Sequence, residues 1–195
     1  MQPLMYQITD VTCWNASIIN GIMLLRWRKT EDPERSLLAP MEERLLRALT
    51  SQYTEFGANR KGIARDWDSD IEFQYYASVM RALGEIAELE FEIYRKGDVE
   101  EKIKNMQFGN KRVAVCNIEN GTHAILLHGR KDGWIECFDP FWDNVKKEED
   151  SKNIRVIPGG SPTNLMIDQG YFSSTSPKSR RLGRSYRFLT IIKTP

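Results

Sequence analysis

Cys13 is the first residue whose type and position suggest chemistry. It precedes an apolar run at 14–28, WNASIINGIMLLRWR, whose pattern predicts a buried or amphipathic helix. The unpaired N–H groups and the dipole at a helix start stabilise a thiolate, which is the competent nucleophile in covalent catalysis. A single cysteine before a helix is more often a buried structural residue. The interpretation therefore depends on finding a base and an orienting group elsewhere in the chain.

The base and the orienting carboxylate are sought around one predicted hairpin. The two histidines of the chain, His123 and His128, lie five residues apart on one predicted strand, so they point to opposite faces. An RKDG turn at 130–133 follows, and the midpoint between His123 and Asp139 falls at Lys131 within it. Asp139 is therefore expected opposite His123 or one place away, where it orients the imidazole. His128 has no such partner, because its opposite position falls in or beside the turn.

An acyl-transfer site also needs hydrogen-bond donors for the developing oxyanion. The backbone N–H of Cys13 is one such donor, and a side-chain amide before it, from Gln7 or less favourably Gln2, is the second. Taken singly, His123 is as readily a core histidine and Asp139 a turn residue before proline. Taken together, these residues favour Cys13 as nucleophile, His123 as general base and Asp139 as orienting carboxylate.

The elements that must position these residues divide into helices first and antiparallel strands second, which is an α+β pattern. Residues 158–184 are rich in Gly, Pro, Ser, Arg and Lys, and are predicted to form one long surface loop. The predicted helices are 14–28, 40–56, 69–83 and 98–108, and the predicted strands are 91–95, 111–119, 122–129, 133–139, 153–157 and 186–193.

Length and composition predict a single domain over 1–195, with a helical lobe at about 1–90 and an antiparallel β lobe at about 91–195. Hydrophobic residues make up 41% and charged residues 28% of the chain, which excludes a disordered protein. The net charge of +1 gives no reason to expect nucleic acid as a partner.

The cysteines form no C-x-x-C pair, so neither a metal site nor a cofactor is expected. Cys116 and Cys137 are predicted to be buried small hydrophobic residues within strands. The first residues lack the features of a secretory signal, and no apolar run is long enough to span a membrane. A cytoplasmic location is expected, with export by a signal-independent route left open.

Three segments carry a resemblance to a known family: QITDVTCWNA at 7–16, GTHAILLHG at 121–129 and DGWIECFDPFW at 132–142. Together they resemble the papain-like cysteine peptidase superfamily, most closely its bacterial C39-like and C70-like branches. Trp14-Asn15 stands where C39-like enzymes carry Gly-Pro. The resemblance implies a papain-like fold whose helical lobe carries the Cys and whose sheet carries the His and Asp.

The same resemblance assigns Gln7 as the oxyanion donor and implies an aromatic side chain, Phe141 or Trp142, packed over the His123–Asp139 pair. It implies a peptidase or amidase that cleaves a peptide or protein substrate through a thioester. An acyl or peptidyl transferase, transglutaminase-like or a transpeptidase, uses the same thioester and remains an alternative. A non-catalytic peptide-binding module on the same fold is a further alternative, and a plain interaction domain is the last.

Overall fold

The structure is a computed structural model, and it describes residues 4, 6, 13–55, 70–95, 98–118, 123–141, 152–159, 161–172 and 188–195. Six helices and seven strands lie in these ranges. In chain order they are α1 (Cys13–Thr30), α2 (Pro33–Ser36), α3 (Pro40–Glu55), α4 (Asp70–Ala87), β1 (Glu90–Arg95), α5 (Asp98–Asn105), β2 (Arg112–Ile118), β3 (His123–Lys131), β4 (Trp134–Phe138), β5 (Ile154–Val156), β6 (Leu165–Asp168), α6 (Gln169–Phe172) and β7 (Phe188–Lys193).

The seven strands form one sheet in the order β1-β7-β2-β3-β4-β6-β5, and every neighbouring pair is antiparallel. One face packs against α1 and α4 in a core that includes Leu126 and Phe138. The opposite face packs against α5 and α6 in a second core that includes Ile125, Leu127 and Cys137. The predicted α+β arrangement of helices followed by an antiparallel sheet is confirmed. The division into two lobes at about residue 90 stays a prediction.

The predicted elements are confirmed with shifted ends, and two predictions are wrong. The third predicted helix was expected to end near Gly84, but α4 continues to Ala87. The region 158–184 is not one long loop, because β6 and α6 lie within it and β6 pairs with both β4 and β5. The short helix α2 was not predicted, although Asp32 caps its start by accepting from two backbone N–H groups.

Helix α1 is held against the sheet along much of its length. Ser17 donates from Oγ to the carbonyl of Ala124 (3.2 Å), one residue after the start of β3. Gly21 allows close approach, since a Cβ there would lie 2.8 Å from the Ile192 side chain. Among the described residues no helix combines the length and the apolar character that crossing a membrane requires.

The first turn of α1 is tied to α4 and β7 by one buried row of hydrogen bonds. Trp14 donates from Nε1 to the Tyr76 hydroxyl (2.9 Å), which lies 2.7 Å from Thr190 Oγ1. Both rings are buried, and they meet edge to face with centroids 5.7 Å apart. This row fixes the end of α1 that carries Cys13.

Replacing Tyr76 with phenylalanine removes both hydrogen bonds from a buried site. We expect Tyr76→Phe to lower the free energy of unfolding by about 1–3 kcal/mol, measured by urea denaturation. Tyr94→Phe is the matched control, because that half-buried hydroxyl donates to the partly exposed Glu92 carboxylate (2.8 Å) and lies near the Lys102 side chain. Its loss is expected to be about 1 kcal/mol or less. Equal losses in the two variants would contradict a special role for the buried row.

Candidate active site

Cys13 is the first residue of α1, at the helix start where the sequence placed it. The beginning of α1 lies beside the beginning of β3, as the Ser17–Ala124 contact shows. This juxtaposition places Cys13 beside His123, the first residue of β3, so that the Cys13 side chain contributes to the raised pKa of the imidazole. The two residues lie together although 110 positions separate them in the chain.

The hairpin of β3 and β4 has its turn at Asp132-Gly133, where both residues have positive φ (51° and 81°). Such a two-residue turn matches the right-handed twist of the flanking strands. It pairs Lys131 with Trp134 at the end of the hairpin. The hairpin is therefore centred between residues 132 and 133, and not at Lys131 as predicted.

A β-bulge at His128 then changes the register. Gly129 pairs with Glu136, but Leu127 pairs with Cys137 and Leu126 with Phe138, so that His128 is an extra residue in β3. One step further along this ladder, Asp139 comes level with residue 125, two positions from His123. The expectation that Asp139 lies opposite His123 or one place off is therefore wrong by one position.

The bulge nevertheless puts Asp139 and His123 on the same face. Without it, the turn would pair residue 139 with residue 126, whose side chain points to the opposite face from that of His123. With it, the two residues are diagonal neighbours, and such neighbours lie about 7–8 Å apart, within reach of long side chains. The side chains do meet, with His123 Nε2 2.8 Å from Asp139 Oδ1.

The His123–Asp139 pair is enclosed. His123 is 4% exposed and Asp139 is fully buried. The Oδ1 atom of Asp139 also accepts from the backbone N–H of Phe141 (2.8 Å), which fixes the carboxylate through a local turn. The Phe141 ring lies with its centroid 6.3 Å from that of His123. Trp142, the other aromatic residue expected over the pair, lies outside the described residues.

The environment of His123 favours its protonated form. Burial alone lowers the pKa of the imidazole, but the charge and hydrogen bond of Asp139, followed by the hydrogen bond and charge of Cys13, raise it from 6.5 to about 10. Because Nε2 faces Asp139, Nδ1 is the ring nitrogen left to face the sulfur. The protonated ring thus lies between a sulfur and a carboxylate.

Asn164 holds the backbone of Asp139, and the sequence did not single it out. Its Oδ1 accepts from the Asp139 N–H (2.8 Å) and its Nδ2 donates to the Asp139 carbonyl (2.8 Å). Asn164 is fully buried. It lies in the region predicted as a surface loop, where an asparagine is an ordinary turn residue, so nothing in the sequence distinguished it.

Gln7 and Gln2 lie outside the described residues, so their predicted role as oxyanion donors stays a prediction. Two neighbours of Gln7 are described. Leu4 is buried and donates from its backbone N–H to Ser161 Oγ (3.3 Å). The Tyr6 ring packs on Phe138, with centroids 5.2 Å apart. Tyr6, which directly precedes Gln7 in the chain, therefore lies against the residue that precedes Asp139.

His128 is in a different setting from His123. Arg28 donates from Nη2 to His128 Nδ1 (3.3 Å) and to the His128 carbonyl (3.2 Å), and Thr163 Oγ1 lies 3.1 Å from Nε2. Burial, followed by the Arg28 charge, lowers the pKa of His128 to about 3, so this ring is neutral. As expected, it faces no carboxylate among these partners.

Cys116 and Cys137 are free thiols that are fully buried in strands, which confirms the prediction for both. In the described part of the chain, no group of three or more His, Cys, Asp or Glu side chains is placed to hold a metal ion. The sulfur of Cys13 is also enclosed, since the residue exposes 1% of its surface. Two surface cavities, one of about 610 Å³ between α4 and β1 and one of about 700 Å³ beside the end of α1 and α2, include none of Cys13, His123 or Asp139.

Comparison with known proteins finds a remote structural similarity. No family model and no curated protein matches the chain. Among solved structures, it is similar to a double glycine motif protease from an AMS/PCAT transporter, solved in complex with the leader peptide. The sequences are 18% identical, the match covers 99% of this chain and 91% of that chain, and the TM-score is 0.47. At this identity and TM-score, the similarity assigns neither a family nor an activity.

The raised pKa of His123 gives a direct pH prediction. Because the folded pKa is above the ordinary 6.5, the ring stays protonated through neutral pH and loses its proton only as the pH rises through about 10. Asp139→Asn removes the carboxylate charge, so we expect the pKa of His123 to fall by about one unit or more. Nitrogen-15 NMR of the two histidines measures this. Titration of wild-type His123 near 6.5 would contradict the stabilisation of the imidazolium by Asp139.

Proposed function

We propose that the protein is a cysteine peptidase or amidase with a papain-like arrangement, in which Cys13 is the nucleophile, His123 the general acid and base, and Asp139 the orienting carboxylate. The observation that carries the proposal is the buried pair of His123 and Asp139, with Nε2 2.8 Å from Oδ1, beside Cys13, whose side chain helps to raise the pKa of the imidazole. A nucleophile, a base that contacts it and a third group that orients the base are the parts that covalent acyl transfer requires.

The reaction begins with Cys13 as a thiolate beside the protonated His123. The sulfur attacks the carbonyl carbon of a peptide or amide, and its electron pair forms the C–S bond while the carbonyl π electrons move to oxygen. The Cys13 N–H at the start of α1 and the Gln7 side chain stabilise that oxyanion. As the oxyanion collapses, the C–N bond breaks, and His123 gives its proton to the leaving amine. A thioester remains on Cys13.

Hydrolysis of the thioester completes the cycle. The neutral His123 takes a proton from water, whose oxygen attacks the thioester carbon and releases a carboxylic acid and the thiolate. Throughout, Asp139 accepts the hydrogen bond from Nε2, which keeps Nδ1 directed at the sulfur and stabilises the positive ring. The substrate must reach a sulfur that is 1% exposed, so the mechanism requires an opening over Cys13 that this conformation does not contain.

Two alternatives use the same residues. A transferase resolves the thioester with an amine in place of water, and a comparison of product formed with and without added amines separates it from a hydrolase. A non-catalytic peptide-binding module is favoured by one observation, which is the near-complete burial of the Cys13 sulfur. Thiol reactivity separates that module from both enzymes.

Cys13 is expected to be the most reactive thiol of the chain. Iodoacetamide at neutral pH should modify Cys13 before Cys116 and Cys137, since Cys13 lies beside the protonated His123, and peptide mapping by mass spectrometry measures the order. Cys13→Ala should lower peptide cleavage by on the order of 10³-fold or more, whereas Cys116→Ala should keep the chemistry intact. Earlier modification of Cys116 or Cys137 would refute the assignment, and an inert Cys13 would favour the binding module.

Gln7 is expected to act only on the oxyanion. Gln7→Ala should lower kcat by ~10²–10³ while the rate of Cys13 alkylation, which forms no oxyanion, stays near that of the wild type. Gln2→Ala is the control and should leave kcat near the wild-type value. If Gln2→Ala gives the loss and Gln7→Ala does not, the two residues exchange roles.

A further inference from the structure

The carboxylate of Asp139 lies at a place where the sheet no longer supports its backbone. Strand β4 ends at Phe138, and Pro140 follows Asp139. Between β4 and β6 the last paired residues are Cys137 and Leu165. The N–H and carbonyl of Asp139 therefore lie one step beyond the regular ladder, in a fully buried position. Buried backbone groups require partners, because leaving one unpaired costs about 1–3 kcal/mol.

The side chain of Asn164 supplies both partners. Its Oδ1 accepts from the Asp139 N–H and its Nδ2 donates to the Asp139 carbonyl, each at 2.8 Å. Asn164 directly precedes β6, and its backbone N–H donates to the Cys137 carbonyl (3.2 Å). The carboxamide thus takes the place of a peptide group and extends the pairing of β4 with β6 by one residue, up to Asp139.

Few side chains can make this pair of bonds. An amide presents one acceptor and two donors in a plane, whereas an ionised carboxylate only accepts and an aliphatic side chain does neither. Glutamine has the same group on a longer stem, which places it about one C–C bond too far from the backbone. The site therefore selects asparagine by chemistry and by length.

We propose that Asn164 is a positioning residue, which aims the carboxylate of Asp139 at His123 by clamping the Asp139 backbone. This inference rests on the proposed function, which gives Asp139 its orienting role. The Phe141 N–H fixes one carboxylate oxygen relative to its own backbone, so the direction of that carboxylate depends on where the backbone is held. The two hydrogen bonds from Asn164 hold the Asp139 backbone at the place from which its Oδ1 reaches His123 Nε2.

The test compares Asn164→Ala with Thr163→Ala. The neighbouring Thr163 contacts the ring of His128, so its replacement controls for general damage to this segment. We expect Asn164→Ala to lower the pKa of His123, followed by NMR, by about one unit or more, because a displaced carboxylate stabilises the ring less. Peptide cleavage should fall by on the order of 10²-fold, mainly in kcat. Thr163→Ala should leave both quantities near their wild-type values.

A second variant covers the case in which Asn164→Ala does not fold. In Asn164→Asp one oxygen still accepts from the Asp139 N–H, but the other donates to the Asp139 carbonyl only when the new carboxyl is protonated. The activity of Asn164→Asp relative to the wild type should therefore recover as the pH falls from about 8 to about 5, since burial raises the pKa of a carboxyl group. A ratio that does not change with pH would overturn the proposal.

The outcomes separate this inference from the proposed function. If Cys13→Ala abolishes cleavage but Asn164→Ala changes neither the His123 pKa nor kcat, the enzyme stands and the positioning role is wrong. The positioning role is also wrong if Thr163→Ala loses as much as Asn164→Ala. If the wild type cleaves no peptide but Asn164→Ala still lowers the His123 pKa, the clamp stands and the proposed activity is wrong.

Discussion

The candidate site depends on a positive imidazole ring that is removed from water. A buried charge is strongly unfavourable unless a partner of opposite charge lies in direct contact and the remaining polar atoms are hydrogen-bonded. His123 meets this condition through Asp139 on one ring nitrogen and Cys13 on the other side. Removing the carboxylate would take away the largest contribution that raises the pKa of the ring, while burial would continue to favour the neutral form. The contact between His123 and Asp139 therefore decides the protonation state on which the chemistry depends.

Two local irregularities of the sheet make this contact. The bulge at His128 turns Asp139 onto the face of His123, and the Asn164 amide continues the ladder where β4 has ended. A regular hairpin with the same turn would pair Asp139 with residue 126, whose side chain points to the opposite face of the sheet from that of His123. Bulges are known to re-aim side chains next to functional sites, and this one does so by a single residue. The regular ladder supplies the strands, and these two irregularities set the direction in which the Asp139 carboxylate points.

Much of the fold was predictable because periodicity and turn residues carry most of the information about elements. Such patterns predicted a helix that starts beside Cys13. They also predicted a hairpin that brings the side chains of His123 and Asp139 together. The register was not predicted correctly, because the turn was centred one and a half residues too early and the bulge was not foreseen. These two errors partly compensate, so the sequence indicated the correct face with the wrong opposite residue. Asn164 was unpredictable for another reason, since its role depends on a contact with a residue 25 positions away that no local pattern records.

Helix α1 contacts this machinery at both of its ends. Its first residue carries the sulfur, and Arg28, near its other end, holds the bulged His128 through the ring and the carbonyl. The fifteen residue-to-residue steps from Cys13 to Arg28 span about 22 Å of α-helix, a length that cannot stretch without breaking backbone hydrogen bonds. Helix α1 is therefore a rigid connection between Cys13 and the bulge in β3 that sets the direction of the Asp139 carboxylate. A shift of α1 along its axis would move the Cys13 sulfur and would also strain the bulge at His128. The positions of Cys13 and of the Asp139 carboxylate are therefore coupled through this helix.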